Sequence, residues 1–338
     1  MDWENRCFQV GTAALVFAVL LRMWSSGPLG NFIRTISSQQ VAAAAIFLET
    51  GQIVRPAAAE PPVTEQPSEE PTETASPEES AEPEQAILGP EDQQSVAVNC
   101  FCEYEPNVAA MLQEPLNWNL YGDEPTVLIL HTHTTESYVN DAGYQEVGAF
   151  RCMDEQYNMV AIGETVKNLL EEQGIRVLHD KTVHDEPSYN EAYGKARVTA
   201  QKYLEQYPSI QLVLDLHRDA AEDANGNQVV TTTQALGQES AKLMIVVGTD
   251  AAGWEHPRWR ENMALAVKLH ASLQRTAPGI CRPIAFRASR FNQDLSTGSL
   301  LIEVGTAGNT RQQAQVAAQV LAQGIESLAA GARWQEMQ

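Results

Sequence analysis

The chain has 338 residues, room for one large domain or two ordinary ones. Its 44 acidic and 22 basic residues give a net charge of −22, which disfavours nucleic acid as a partner, because phosphate binding needs a basic surface. The charge is uneven: residues 56–92 hold eleven Asp or Glu and no Lys or Arg, half of the net charge. The five cysteines, Cys7, Cys100, Cys102, Cys152 and Cys281, fit no zinc-finger spacing. Outside the cytoplasm the last four could pair in three ways; free buried thiols are the alternative.

Residues 8–21 are nearly all apolar and lie between Arg6 and Arg22. Extended to Trp24, the stretch approaches the ~30 Å of a hydrocarbon core and reads as an uncleaved single-pass anchor. A large domain after such an anchor is expected outside the cytoplasm. Residues 40–54 suit a short amphipathic helix beside the membrane. The Pro-, Glu-, Ser- and Thr-rich run 56–92 lacks apolar residues to bury and reads as a disordered tether. Its reach is at most about 100 Å, and nearer 35 Å as a flexible chain. The expected organisation is a stub and anchor (1–30), a juxtamembrane segment (31–55), an acidic tether (56–95) and a catalytic domain (96–338).

Within that domain the apolar run 127–130 predicts a buried strand. Residues 158–173 carry Met159, Ile162, Val166, Leu169 and Leu170 on one helical face, with Gly174 placed to cap it. Then follow a strand at 175–178, a helix at 191–206 and a strand at 211–216. Asn225-Gly226 signals a hairpin turn into a strand at 228–233. A strand at 242–247, a helix at 258–276, a strand at 299–304 and a helix at 310–328 complete the pattern. Alternating strands and helices predict an α/β fold, a largely parallel central sheet flanked by helices.

Three of these strands lead into residues that bind metals or move protons. The first stops at His131-Thr132-His133 and reaches Glu136; the second runs into Asp215-Leu216-His217-Arg218; the last carries Glu303 in an apolar setting. In a parallel sheet these ends share one edge, where ligands gather. Two histidines and a glutamate around Zn²⁺, with water in the fourth place, form a known hydrolase arrangement. Glu303 suits the carboxylate that takes the water's proton. The competing reading makes the histidines hydrogen-bonded loop residues and Glu303 half of an ion pair with Arg218 or Arg290.

The motifs HTHTTESY (131–138), NMVAIGETVKNLLEEQGIRVLHD (158–180), PSYNEAY (187–193), LDLHRDA (214–220), RFNQDL (290–295) and LLIEVG (300–305) resemble the stage II sporulation protein P family of endospore-forming bacteria. The resemblance runs from about residue 126 to 310. It implies a zinc-amidase-like fold behind an N-terminal membrane anchor. The implied activity is that of an N-acetylmuramoyl-L-alanine amidase and endopeptidase acting on peptidoglycan during forespore engulfment. Stage II sporulation proteins D and M are the implied partners. The implied location is the cell membrane, single-pass, with the catalytic domain between the mother-cell and forespore membranes. Related zinc amidases end their first strand in Asp-Pro-Gly-His, which places a ligand at His133 and leaves His131 as a supporting or substrate-facing residue. Glu136 is preferred as the second ligand, with Glu146 the alternative, because the glutamate comes later in those amidases. His217 is then the third ligand and Glu303 the catalytic acid/base. Arg218 and Arg290 are expected, by charge matching, to bind stem-peptide carboxylates. Thr297 stands where the family pattern has proline. A zinc carboxypeptidase acting on peptides and a non-catalytic wall-binding scaffold are the rival functions.

Overall fold

A computed structural model describes residues 88–139, 146–148 and 150–336. In chain order the strands are β1 (Val98–Cys100), β2 (Val127–Leu130), β3 (Glu146–Gly148), β4 (Arg151–Cys152), β5 (Val177–His179), β6 (Leu212–Asp219), β7 (Thr232–Ala235), β8 (Gln238–Ala241), β9 (Leu243–Val247), β10 (Ile284–Phe286) and β11 (Ser299–Thr306). The helices are α1 (Val108–Gln113), α2 (Met159–Glu172), α3 (Ala192–Gln206), α4 (Trp259–Thr276) and α5 (Arg311–Glu336).

Seven strands form one sheet in the order β1-β10-β9-β11-β6-β2-β5. Every neighbouring pair is parallel except β9–β11, which is antiparallel. The sheet is therefore two parallel blocks that run in opposite directions. β2, β6 and β11 belong to the same block and lie side by side, so the three strands that carry the candidate residues do run the same way. The outer strands β1 and β10 are too short to stand out as apolar runs. Asn225-Gly226 turns as expected, with Gly226 at φ 80°, but it closes a single bridge from Glu222 to Gln228; the hairpin proper, β7–β8, turns at Leu236-Gly237.

Strand alternation gives the sheet two unlike faces. Leu212, Leu214 and Leu216 of β6 and Leu300, Ile302 and Val304 of β11 enter the main core with α2, α4 and α5. Val213 and Leu130 turn the other way, under α3, and Leu301 joins Met244, Val246 and Ala285 in a small separate cluster. Asp215, His217 and Glu303 share this second face by the same alternation. α2 starts on an Asn158 cap that accepts from Val160 N–H (2.9 Å) and stops at Gly174, whose φ of 84° favours glycine. Within α2, a Cβ on Gly163 would come 2.5 Å from His179 Nε2 and 2.8 Å from His131 Nε2, so glycine lets the helix rest on this buried histidine pair.

His270 on α4 is 1 % exposed, and burial pushes its pKa down to about 4. In the unfolded chain it titrates near 6.5. Its contribution to stability is thus complete above pH 6.5 and is lost as the pH falls towards 4, at most about 3 kcal/mol. Urea midpoints should fall between about pH 7.5 and about pH 5, and His270→Leu should flatten that fall.

The expectation of an N-terminal membrane anchor is corrected. Among the described residues no helix is long and apolar enough to cross a membrane. The proposed span and the juxtamembrane helix lie outside the described residues. The membrane as a partner and the single-pass membrane location are withdrawn with it. Most of the expected tether is likewise outside, but its end is folded: Pro90–Ser95 forms a 3-10 helix, and Arg275 grips Asp92 with two bonds of 2.6 Å. Cys100, Cys102, Cys152 and Cys281 are free thiols.

Candidate active site

The apolar run of β2 ends at Leu130, and the chain turns through residues 131–136 over the C-terminal end of β6. Backbone and side chain of Thr132 both bond Asp215, at 2.8 and 2.6 Å. Asp215 also lies 2.9 Å from His217 Nε2, close in distance though off the ring N–H direction. The Asp215-Leu216-His217 spacing puts acid and imidazole on one strand face. The other ring nitrogen, His217 Nδ1, faces Glu136 Oε2 at 3.6 Å. Glu303 is the direct cross-strand neighbour of His217 in the β11–β6 register. The His133 ring stands edge-on to that of His217, with centroids 5.4 Å apart. His133, Glu136, His217 and Glu303 are thus gathered at one place. The first three are 7, 3 and 3 % exposed. His133 Nδ1 and Glu303 Oε2 are buried without a hydrogen-bond partner.

The electrostatics of this cluster follow from burial and mutual charge. Burial and the neighbouring His217 push His133 down to about 2, so it is a neutral imidazole with a free lone pair. Burial opposes charge on His217, but Asp215, then Glu136 and Glu303, outweigh it and raise its pKa to about 10. Burial would raise Asp215; His217 and Thr132 instead hold it down at about 2. Glu303 is pushed up to about 8, by burial first and by the charge of Asp219 next. Burial also raises Glu136, against the pull of Arg218.

The remaining expected residues are placed differently. His131 is fully buried on the α2 side of β2 and does not face a substrate. Its Nδ1 donates to Leu216 O (3.1 Å), so its Nε2 accepts from His179 (2.9 Å). It ties β2 to β6 one residue before His217. His184 is also buried; it donates to His131 O (2.8 Å) and accepts from Thr199 (2.9 Å). Arg218 is turned inward: its guanidinium donates to Ser137 O (3.0 Å), Phe150 O (3.1 Å) and Glu136 Oε1 (3.5 Å), and its backbone N–H to Glu136 Oε2 (3.2 Å). It positions Glu136 and is not available as a carboxylate clamp. Arg290 is not drawn into the cluster. It lies 3.7 Å from Asp294 and over the ring of Trp254, in a loop fixed to the end of β9 by Gln293. The alternative ligand Glu146 pairs through its backbone with Cys152, and its side chain lies outside the described residues.

Four residues escaped the sequence reading. Asp215 was legible in the i, i+2 spacing to His217 but had no role assigned. Tyr189 stacks flat on His133, with centroids 3.9 Å apart and planes within 9°. Tyr193 meets the His133 ring edge-on at 5.6 Å. Arg151 holds the far side, over Tyr189 at 5.1 Å, and is itself fixed by Asp185 (3.3 Å) and Glu186 (2.8 Å). A cavity of about 330 Å³ lined by Trp118, Ile210 and Gly298 lies at the start of β6 and β11, the opposite end of the strands from His217 and Glu303.

The donor set suits zinc by its chemistry: two imidazoles and a carboxylate, buried, one imidazole with an unused nitrogen. Two donors on one tetrahedral zinc, at bonds of about 2.0–2.2 Å, lie roughly 3.3–3.6 Å apart. His217 Nδ1 and Glu136 Oε2 show that separation, which is long for a hydrogen bond. As the side chains stand, no group of three or more His, Cys, Asp or Glu forms a finished metal cage among the described residues.

Among solved structures, the chain is similar to the N-acetylmuramoyl-L-alanine amidase AmiC2 of Nostoc punctiforme (15 % identity, 60 % of this chain and 97 % of that one, TM-score 0.37). It is also similar to the N-acetylmuramoyl-L-alanine amidase from Clostridium difficile 630 (15 % identity, 60 % and 96 %, TM-score 0.37). Stage II sporulation protein P of Bacillus subtilis (strain 168) is 28 % identical over 212 residues, 60 % of this chain. The match spans about half of that relative's length (50 %). The family model for stage II sporulation protein P matches residues 33–326, and the chain belongs to that family.

Proposed function

We propose that this chain is a zinc-dependent peptidoglycan hydrolase that cleaves the amide between N-acetylmuramic acid and L-alanine, and peptide cross-links, during forespore engulfment. The observation that carries this reading is the meeting of His133, Glu136, His217 and Glu303 on one sheet face, with His217 and Glu303 in direct cross-strand register.

His133, Glu136 and His217 would hold the ion. When bound, zinc lowers the pKa of a water to about 7 and polarises a carbonyl oxygen. Asp215 lies against Nε2 of His217 and leaves Nδ1 for the ion. Arg218 bonds Glu136 and aims it at His217. Glu303 receives the proton of the attacking water at Oε2. The water oxygen bonds to the amide carbon, the C–N bond breaks, and Glu303 returns the proton to the departing nitrogen.

Digestion of purified peptidoglycan with and without a chelator, read by mass spectrometry, tests the reading. An amidase releases intact stem peptides, and the chelator stops the release. Release of single amino acids would indicate a carboxypeptidase instead, and no product a scaffold. His217→Ala should lose zinc by elemental analysis; full zinc retention would remove His217 from the ligand set.

A further inference from the structure

Resting on the hydrolase reading, we propose that Arg287 anchors a carboxylate of the bound peptide on the sheet face that also carries Glu303, two strands away. Arg287 follows β10 and still bonds the ladder, its N–H donating to Val247 O at 2.8 Å. Alternation from Ala285 places its side chain on the face of Met244, Val246 and Leu301, hence that of Glu303 and His217. α3 packs against β2 on this face, while α4 and α5 lie on the other, so β9 and β10 have no helix over them among the described residues.

Five other arginines, Arg151, Arg197, Arg218, Arg275 and Arg282, have anionic partners. Arg287 has a buried Nε with no partner, and its guanidinium lies 4.1 Å from the centroid of the Phe101 ring. Asp219, the anion that acts on it most strongly, is already held by Arg282 at 2.7 Å. A buried charged donor without an acceptor is costly, and a bound anion removes that cost. A carboxylate matches the planar fork, in one or two parallel bonds. A dianion such as phosphate is disfavoured, because Glu303 and Asp219 act on the same guanidinium. Phe101, 47 % exposed, offers an apolar surface to the adjoining aliphatic chain.

The test is a titration of the full chain, in chelator so that nothing is turned over, with N-acetyl-alanyl-glutamate and with its diamide. The diacid should bind the wild type about 10-fold more tightly than the diamide. Arg287→Gln should abolish that preference, and Arg287→Lys should keep part of it. An unchanged preference in Arg287→Gln would overturn the proposal. So would equal binding of acid and amide by the wild type, or displacement of the diacid by inorganic phosphate at equal concentration. Binding is read without catalysis, so a protein that shows the Arg287 preference yet releases no product from peptidoglycan refutes the hydrolase reading alone.

Discussion

Replacing Glu303 with glutamine should cut peptidoglycan hydrolysis by about 10²- to 10⁴-fold while leaving zinc content and fold intact. Glutamine fills the same space but cannot exchange a proton. Glu303 has a buried Oε2 without a partner, beside two other carboxylates that oppose its ionisation. Its raised pKa already leaves it largely protonated at neutral pH, so the isosteric amide changes little there and the denaturation midpoint should hold. An ion-pair role predicts the reverse, a destabilised variant. Neither arginine available for that pair is engaged with Glu303: Arg218 is on Glu136, and Arg290 lies by Asp294. Turnover at the wild-type rate in the purified variant would sink the acid/base assignment.

Arg218→Met should destabilise the domain by about 3–5 kcal/mol, because it strands the buried carboxylate of Glu136 without its cation. For a domain of this size that is on the order of 10 °C in Tm. Adding Glu136→Gln should recover most of the loss, since the neutral amide needs no counter-charge, although that double variant forfeits a proposed ligand. Thermal denaturation of the two single variants and the double gives the coupling directly. A loss below about 1 kcal/mol in Arg218→Met, together with weaker peptide binding, would restore Arg218 as a substrate clamp.

What could be read from the sequence was what is decided locally. The strand at Val127–Leu130 is buried on both faces and therefore continuous in apolar residues, and its limits match the reading. The helices at 159–172, 192–206 and 259–276 follow from periodicity and caps to within a residue or so. Glu303 stood out because an acid within an apolar strand needs a reason. The reversed direction of β9 was not legible, because strand order depends on long connections that leave no local pattern. The arginines were misread for a related reason. Charge shows which residues can bind a carboxylate, but not which carboxylate they meet. Arg218 meets Glu136, two turns of chain logic away in β2's trailing loop, while Arg287 meets none. His131 and His133, two residues apart, would share a face if the strand ran on; they separate because the chain leaves β2 after Leu130 and turns through residues 132–135.

The antiparallel seam at β9–β11 has a consequence for how the molecule is made. β11 is the last strand in the chain, yet it sits between β9 and β6 near the middle of the sheet. Until residues 299–306 arrive, each parallel block presents a bare row of N–H and C=O groups along β9 and β6. Joining them requires contacts between distant parts of the chain, the slow class of folding event. A nascent or truncated chain without that strand therefore has two edges prone to aggregation and no proton carrier, so solubility and hydrolytic competence are acquired in the same late step.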